Sequence, residues 1–200
     1  MENSPTHRIA IFASGSGTNA ENIVRYFRAQ ADPIAQVALI LCNRPQAGVI
    51  QRAARLGIPC HCFNREDLLE GRILPILNKE SIDFVVLAGF LLRIPEYLIE
   101  AYPQAIVNIH PALLPKFGGK GMYGDHVHQS VVEAGESQTG ITIHYVNAEL
   151  DKGSIICQKT CPVLPGEDYH QVAEKVHLLE YEHYPKVIDS LLRQQSAGRD

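Results

Sequence analysis

Arg8-Ile9-Ala10-Ile11-Phe12-Ala13 runs directly into Ser14-Gly15-Ser16-Gly17-Thr18-Asn19-Ala20. The first part is an apolar run of strand length, and an amphipathic stretch extends from Thr18 to about residue 30. A strand that passes through a glycine-rich turn into a helix opens a β-α-β unit on a parallel sheet.

The same alternation continues outward from this junction. Further strands are expected at about 36–42, 58–63, 82–88 and 105–110, and helices at about 18–30, 47–56, 66–80 and 95–102. Each is bounded by Gly, Pro, Asn or Asp. Ile82-Asp83-Phe84-Val85-Val86-Leu87-Ala88 is nearly apolar throughout, which predicts a central strand covered on both faces. Right-handed crossovers then give a Rossmann-like, doubly wound, mostly parallel sheet.

Past residue 110 the rhythm changes to a glycine-rich loop (116–125), a helix (126–134), strands at 139–146 and 154–163, and a closing helix from about 168 to 193. The connection Asn147–Gly153 is short enough for an antiparallel hairpin, so the sheet should end in an antiparallel C-terminal extension. No linker separates the halves. The expectation is one domain over residues 1–200 with an ordered core of about 8–193, and disorder confined to 1–7 and 195–200.

Composition narrows the partners. With 18 basic against 22 acidic residues the net charge is −4, and no Lys/Arg run makes the basic stripe that nucleic acid requires. The start, Met1 to His7, lacks the basic flank and apolar stretch of a secretory signal, and the apolar runs fall far below the roughly 20 residues of a membrane span. A soluble, cytoplasmic protein with no nucleic-acid or membrane partner is expected. The cysteines at 42, 60, 62, 157 and 161 make an odd count, which favours reduced thiols over a disulfide framework. Neither Cys60-His61-Cys62 nor Cys157-x-x-x-Cys161 has the two-residue spacing of a zinc knuckle; buried core thiols and no metal are expected.

The first loop fits G-x-G-x-x-A, a dinucleotide pattern. Such a site also needs an acidic residue about 20 residues on, at the end of the second strand, to hold the ribose hydroxyls. That place holds Cys42-Asn43-Arg44, which speaks against a dinucleotide. A single phosphate suits the glycines, the unpaired N–H groups of a helix start and the side chains of Ser16, Thr18 and Asn19. A tight turn with a helix cap would need the same residue types, and both readings stand at this point.

Asn108 and His110 lie two apart at the end of Ala105-Ile106-Val107-Asn108-Ile109-His110 and therefore share one face of a strand. An amide and an imidazole in an otherwise apolar strand either satisfy each other or face a cavity. Both can donate to the oxygen of a tetrahedral intermediate, which suits acyl transfer. Asp151, in the turn before Lys152-Gly153, is a candidate partner that would raise the imidazole pKa; simple turn chemistry is the alternative there. His144, two residues from Thr142 on the preceding strand, is a further candidate.

Asn108-Ile109-His110-Pro111-Ala112-Leu113-Leu114-Pro115, followed by Leu150-Asp151-Lys152-Gly153, resembles the signature of the folate-dependent formyltransferases. With Ser14 to Asn19 and Val86-Leu87-Ala88-Gly89-Phe90, the resemblance runs from residue 8 to about 190 and points to the branch that serves purine synthesis. It implies the formyltransferase fold and transfer of a formyl group from 10-formyltetrahydrofolate to the amine of glycinamide ribonucleotide, without a metal. It implies His110 as general acid, Asn108 on the formyl oxygen and Asp151 as the group that raises the imidazole pKa.

By the same resemblance Gly17, Thr18 and Asn19 form a phosphate-binding loop, and Glu180 contacts the glycinamide substrate. Arg65 and Leu91-Leu92-Arg93-Ile94, together with Asn108, hold the folate, with Leu92 and Arg93 as alternatives for the side chain facing the pterin. The protein is expected to act as a monomer or homodimer. The loop Lys116–Asp125 is longer than the family pattern and carries four glycines. It is expected to be a mobile lid over the folate side, the alternative being a lengthened surface connection. A related enzyme acting on tRNA would add a basic C-terminal module, and a formyltetrahydrofolate hydrolase an N-terminal regulatory domain; neither is read in this sequence. A nicotinamide-dependent oxidoreductase and a catalytically silent phosphate-binding module are the readings from other classes.

Overall fold

The computed structural model describes residues 7–198. In chain order the elements are β1 (His7–Ala13), α1 (Thr18–Arg28), β2 (Ala35–Cys42), α2 (Gly48–Leu56), β3 (Cys60–Cys62), α3 (Arg65–Leu69), α4 (Ile73–Lys79), β4 (Phe84–Leu87), α5 (Glu96–Ala101), β5 (Ile106–His110), α6 (Asp125–Glu133), β6 (Gln138–Tyr145), β7 (Ile155–Pro162) and α7 (Tyr169–Ala197). The strands form one seven-stranded sheet in the order β3-β2-β1-β4-β5-β6-β7. β1 pairs parallel with both β2 and β4, whereas β6 pairs antiparallel with β5 and with β7. This is the doubly wound, mostly parallel sheet with an antiparallel extension that the alternation of elements predicts.

β4 occupies the middle of the sheet, and all of its residues are buried, as its unbroken apolar run requires. The strand order reverses at β1, so the loops after β1 and β4 lie at the switch point where α/β sheets bind ligands.

The described residues pack as two compact units, one comprising those up to Ile106 with those from Pro185 onward, the other Val107–Tyr184. In the first, Ile9, Ile11 and Phe12 of β1, Ile40 and Leu41 of β2 and Phe84 and Val86 of β4 are fully buried. Ile23, Val24 and Phe27 of α1 and Val49 and Ala53 of α2 cover them on an amphipathic face. At about 25 cal/mol per Å² of buried apolar surface, each large side chain in such a core contributes roughly 1.5–3 kcal/mol. In the second unit the core is Val107 of β5, Val127 and Val131 of α6, Ile141 and Ile143 of β6, and Val172, Val176 and Tyr184 of α7. Tyr184 is completely buried and donates its hydroxyl to the carbonyl of Val107 at 3.2 Å, which fixes the backbone one residue before Asn108.

Some boundaries differ from expectation. The helix expected over 66–80 is interrupted: α3 ends at Leu69, Gly71 adopts a left-handed φ of +81°, and α4 begins at Ile73. Glycine tolerates that conformation without a Cβ clash and so breaks an otherwise helical pattern. β3 is a three-residue edge strand, shorter than the expected 58–63. At the ends, His7 is a fully buried residue of β1 whose Nε2 meets the Ser196 hydroxyl at 2.9 Å, and Gln195 to Ala197 complete α7. These residues are ordered, contrary to expectation; residues 1–6 and 199–200 lie outside the described residues. Of the cysteines only Cys42 is buried, Cys62 being exposed and Cys60, Cys157 and Cys161 half-buried. The expectation of core thiols is thus corrected: β3 and β7 are edge strands with open faces.

Candidate active site

In the first unit the carboxyl ends of β1, β2 and β4 are tied together by one hydroxyl. Ser14 Oγ donates to Asn43 Oδ1 at 2.6 Å and accepts from the Leu91 backbone N–H at 3.0 Å. The Ser14 N–H donates to the Gly89 carbonyl at 3.0 Å. Gly17 follows with φ +79°, and a Cβ there would lie 2.5 Å from Val49 Cγ2, so only glycine fits. Thr18 and Asn19 begin α1, where Glu21 N–H donates to the Gly17 carbonyl at 2.9 Å. The loop therefore presents the start of an eleven-residue helix behind a close-packed glycine turn, a geometry suited to an anion.

Of the expected folate residues, Arg65 and Leu91 to Ile94 lie in this same unit, and Asn108 lies in the second. Arg65 opens α3 behind an Asn64/Asp67 capping box and is exposed. Leu91 and Arg93 are exposed, Leu92 is half-buried, and Ile94 is buried. Phe90 packs edge-on to Phe12 with ring centroids 5.3 Å apart, and Phe63 lies 6.1 Å from both rings.

The second unit brings Asn108, His110 and Asp151 together. Asn108 and His110 share a face of β5, paired in register with His144 and Thr142 of β6. Asp151 enters from the β6–β7 turn with a left-handed φ of +56°. Its Oδ2 lies 3.8 Å from His110 Nδ1, and its Oδ1 lies 3.8 Å from His144 Nε2. Both separations are too long for direct hydrogen bonds. The side chains of His110, His144 and Asp151 are each more than nine-tenths buried.

Two further contacts complete the cluster. His110 Nε2 donates to the Phe117 carbonyl at 2.7 Å, and the Gly119 N–H donates to Asp151 Oδ2 at 2.9 Å. The long glycine loop thus contributes backbone atoms to both residues.

His144 decides which way the Asn108 amide faces. Its Nδ1–H donates to the Tyr145 carbonyl at 2.8 Å, leaving Nε2 as an acceptor, and Asn108 Nδ2 lies 3.2 Å from it. Burial lowers the His144 pKa, outweighing the Tyr145 carbonyl and the Asp151 charge, so the ring is neutral near pH 7. Asn108 Nδ2 has a second proton to offer elsewhere.

Thr142 anchors the segment after His110. Its hydroxyl donates to the Ala112 carbonyl at 2.7 Å and accepts from Leu114 N–H at 3.0 Å and Gln158 Nε2 at 2.9 Å. Its one donor and both acceptor positions are therefore used. Glu180 is buried on α7, one turn before Tyr184, and so is not part of a solvated helix face.

Residue identity gives no sign of the Phe117 carbonyl or the Gly119 N–H, because these are backbone atoms. That His144 faces the site was visible in the alternation that places it on one face with Thr142; its contact with Asn108 was not. Among the described residues no group of three or more His, Cys, Asp or Glu side chains could hold a metal ion. Cys60 has its thiol pKa pushed up to about 11, chiefly by burial and then by the neighbouring Cys62 and Cys42, so it stays protonated. Among the described residues no helix is long and apolar enough to cross a membrane.

The chain is similar to known proteins over most of its length. Residues 7–188 match the formyl transferase family. The chain is 35% identical over 196 residues to the phosphoribosylglycinamide formyltransferase of Bacillus subtilis, covering 96% of this chain and 97% of that one. It is also 35% identical over 199 residues to the chloroplastic phosphoribosylglycinamide formyltransferase of Arabidopsis thaliana, covering 96% of this chain and 68% of that one. The crystal structure of glycinamide ribonucleotide transformylase 1 from Geobacillus kaustophilus superposes with a TM-score of 0.85 at 42% identity, covering 94% of this chain and 99% of that one. The chain belongs to the formyl transferase family and is an enzyme of that class.

Proposed function

We propose that the enzyme transfers the formyl group of 10-formyltetrahydrofolate to the amine of 5'-phosphoribosylglycinamide in purine biosynthesis, with the whole chain acting as one formyltransferase domain in the cytoplasm, as a monomer or homodimer. The observation that carries this reading is the cluster of half-buried Asn108 with the buried side chains of His110 and Asp151 in a chain of the formyl transferase family. Relatives that match nearly its full length bear the name of that activity.

When bound, the folate supplies an activated formyl carbon and a leaving nitrogen. The groups offered in the first unit suit it chemically: exposed cations at Arg65 and Arg93 for its glutamate carboxylates, and Leu91 and Phe90 for an aromatic ring system. Gly17, Thr18 and Asn19 take the phosphate of the acceptor, and Glu180 offers a carboxylate to its amine.

Asn108 donates its second Nδ2 proton to the formyl oxygen as attack by the amine turns that oxygen into an oxyanion. His110 contributes the other donor. Its Nε2 proton is held by the Phe117 carbonyl, so Nδ1 is the nitrogen that carries the mobile proton. The attacking amine loses one proton and the leaving nitrogen gains one; His110 acts as the general acid, water carries the proton between the two nitrogens, and the Asp151 carboxylate, 3.8 Å from Nδ1, stabilises the positive ring. No acyl-enzyme forms, because holding both reactants together and stabilising the oxyanion lower the barrier without a covalent nucleophile.

The test is an assay of formyl transfer from 10-formyltetrahydrofolate to glycinamide ribonucleotide by the purified protein. Stoichiometric formation of the formylated product is expected. No transfer, with activity on another amine acceptor, would overturn the assigned acceptor.

A further inference from the structure

We propose that Arg52 is a positioning residue for the phosphate of the acceptor: it sets the direction of the loop N–H groups without touching the phosphate itself. The inference rests on the reading of Gly17 to Asn19 as the phosphate loop and extends it to a residue on the neighbouring helix.

Arg52 lies on α2, half-buried, and makes contacts in two directions. Its Nε donates to the Ser16 carbonyl at 2.9 Å, and its Nη1 pairs with Glu21 Oε2 in the first turn of α1. Glu21 is itself held on its other oxygen by Arg25, with Nη2 at 2.6 Å and Nε at 3.0 Å. One guanidinium therefore locks α2 to both the loop and the helix that the loop feeds.

The consequence follows from the planar trans peptide, in which the C=O of one residue and the N–H of the next point in opposite directions. The Gly15 carbonyl accepts from the Val49 N–H at 3.1 Å and the Ser16 carbonyl accepts from Arg52, so both carbonyls are turned toward α2. The N–H groups of Ser16 and Gly17 must then point away from α2. Two successive N–H groups aimed the same way at a helix start form an anion-binding concavity. Val49 directs the first through its backbone, which any residue would supply. The second depends on the Arg52 side chain.

Lysine cannot substitute fully. A single ammonium reaches either the Ser16 carbonyl or Glu21 as a point donor, whereas the guanidinium serves both from a fixed plane.

The test compares the wild type with Arg52→Ala, Arg52→Lys and Glu21→Gln, each assayed on glycinamide ribonucleotide and on its dephosphorylated nucleoside. For Arg52→Ala we expect the KM for the phosphorylated acceptor to rise about ten-fold or more, kcat to stay within about two-fold and the KM for the folate to be unchanged. The penalty should vanish on the dephosphorylated acceptor. Arg52→Lys should keep the melting temperature but recover only part of the KM, and Glu21→Gln should shift KM in the same sense by less. Equal losses on both acceptors, or a fall in kcat that follows the melting temperature, would mean a merely structural role and overturn the proposal. If Arg52→Ala does not fold, the same comparison is read from Arg52→Lys and Glu21→Gln, and full activity of both on the phosphorylated acceptor would likewise overturn it. A wild type that does not distinguish the two acceptors would overturn the phosphate-loop reading, and this proposal with it.

Discussion

His110 Nε2 lies 2.7 Å from the carbonyl oxygen of Phe117, and because a carbonyl only accepts, that nitrogen carries a proton in every charge state of the ring. The loop thereby fixes the tautomer, and Nδ1 is left facing Asp151. His110→Ala and Asp151→Asn are each expected to lower kcat by about 10²–10⁴-fold with little change in the melting temperature. Steady-state kinetics beside thermal unfolding checks this, and near-normal turnover in both variants would defeat the assigned mechanism.

His144 is expected to act through Asn108. Replacing it by Ala removes the acceptor that orients the amide, so kcat should fall about ten-fold or more while substrate KM values change little. In a double-mutant cycle, His144→Ala combined with Asn108→Ala should be scarcely worse than Asn108→Ala alone, since the second change removes what the first one orients. Additive losses would show that His144 works independently.

Gly153 is predicted to tolerate no side chain. A Cβ there would lie 1.6 Å from the Tyr145 carbonyl oxygen, the same oxygen that holds His144 Nδ1. Gly153→Ala should cost about 3 kcal/mol or more, lowering the melting temperature by roughly 6–12 °C in a protein of this size, and should reduce activity along with it. A variant as stable and as active as the wild type would contradict the observed approach of the two backbones.

Acid stability should depend on His128. Burial, then the neighbouring His177, brings its pKa down from 6.5 to about 4; the facing charges are Asp125, which opposes the shift, and His110, which adds to it. Its Nδ1 is buried without a hydrogen-bond partner, and His177 lies 6.2 Å away ring to ring. Because the folded-state pKa is depressed, the unfolded chain binds the proton first on acidification. Stability is thus unaffected above about pH 6.5 and falls as the pH drops toward 4, by roughly 3 kcal/mol across that window. His128→Asn should flatten the melting-temperature profile between these limits; an unchanged slope would place the acid sensitivity elsewhere.

The parallel half was legible because its strands are covered on both faces and therefore read as continuous apolar runs, Phe84 to Leu87 most plainly. Asn108 and His110 were legible for the opposite reason, as polar residues on one face of such a run. Asp151 was not, since an aspartate before Lys152-Gly153 reads equally well as a turn residue, and only the family signature linked it to His110. The break between α3 and α4 escaped because the apolar positions on either side of Gly71 both follow helical spacing. The contribution of Phe117 and Gly119 lies in main-chain atoms, whose direction depends on loop geometry and leaves no trace in side-chain identity.

Ser14 carries a constraint on how this half of the enzyme can be re-engineered. Its hydroxyl joins the ends of β1, β2 and β4 through Asn43 and Leu91. Grafting a loop of different length after either strand would pull on the other through that shared oxygen and re-aim residues the graft never included. The α2 side of the junction and the 91–94 segment therefore form one exchangeable cassette, to be transplanted together with Ser14 or left alone.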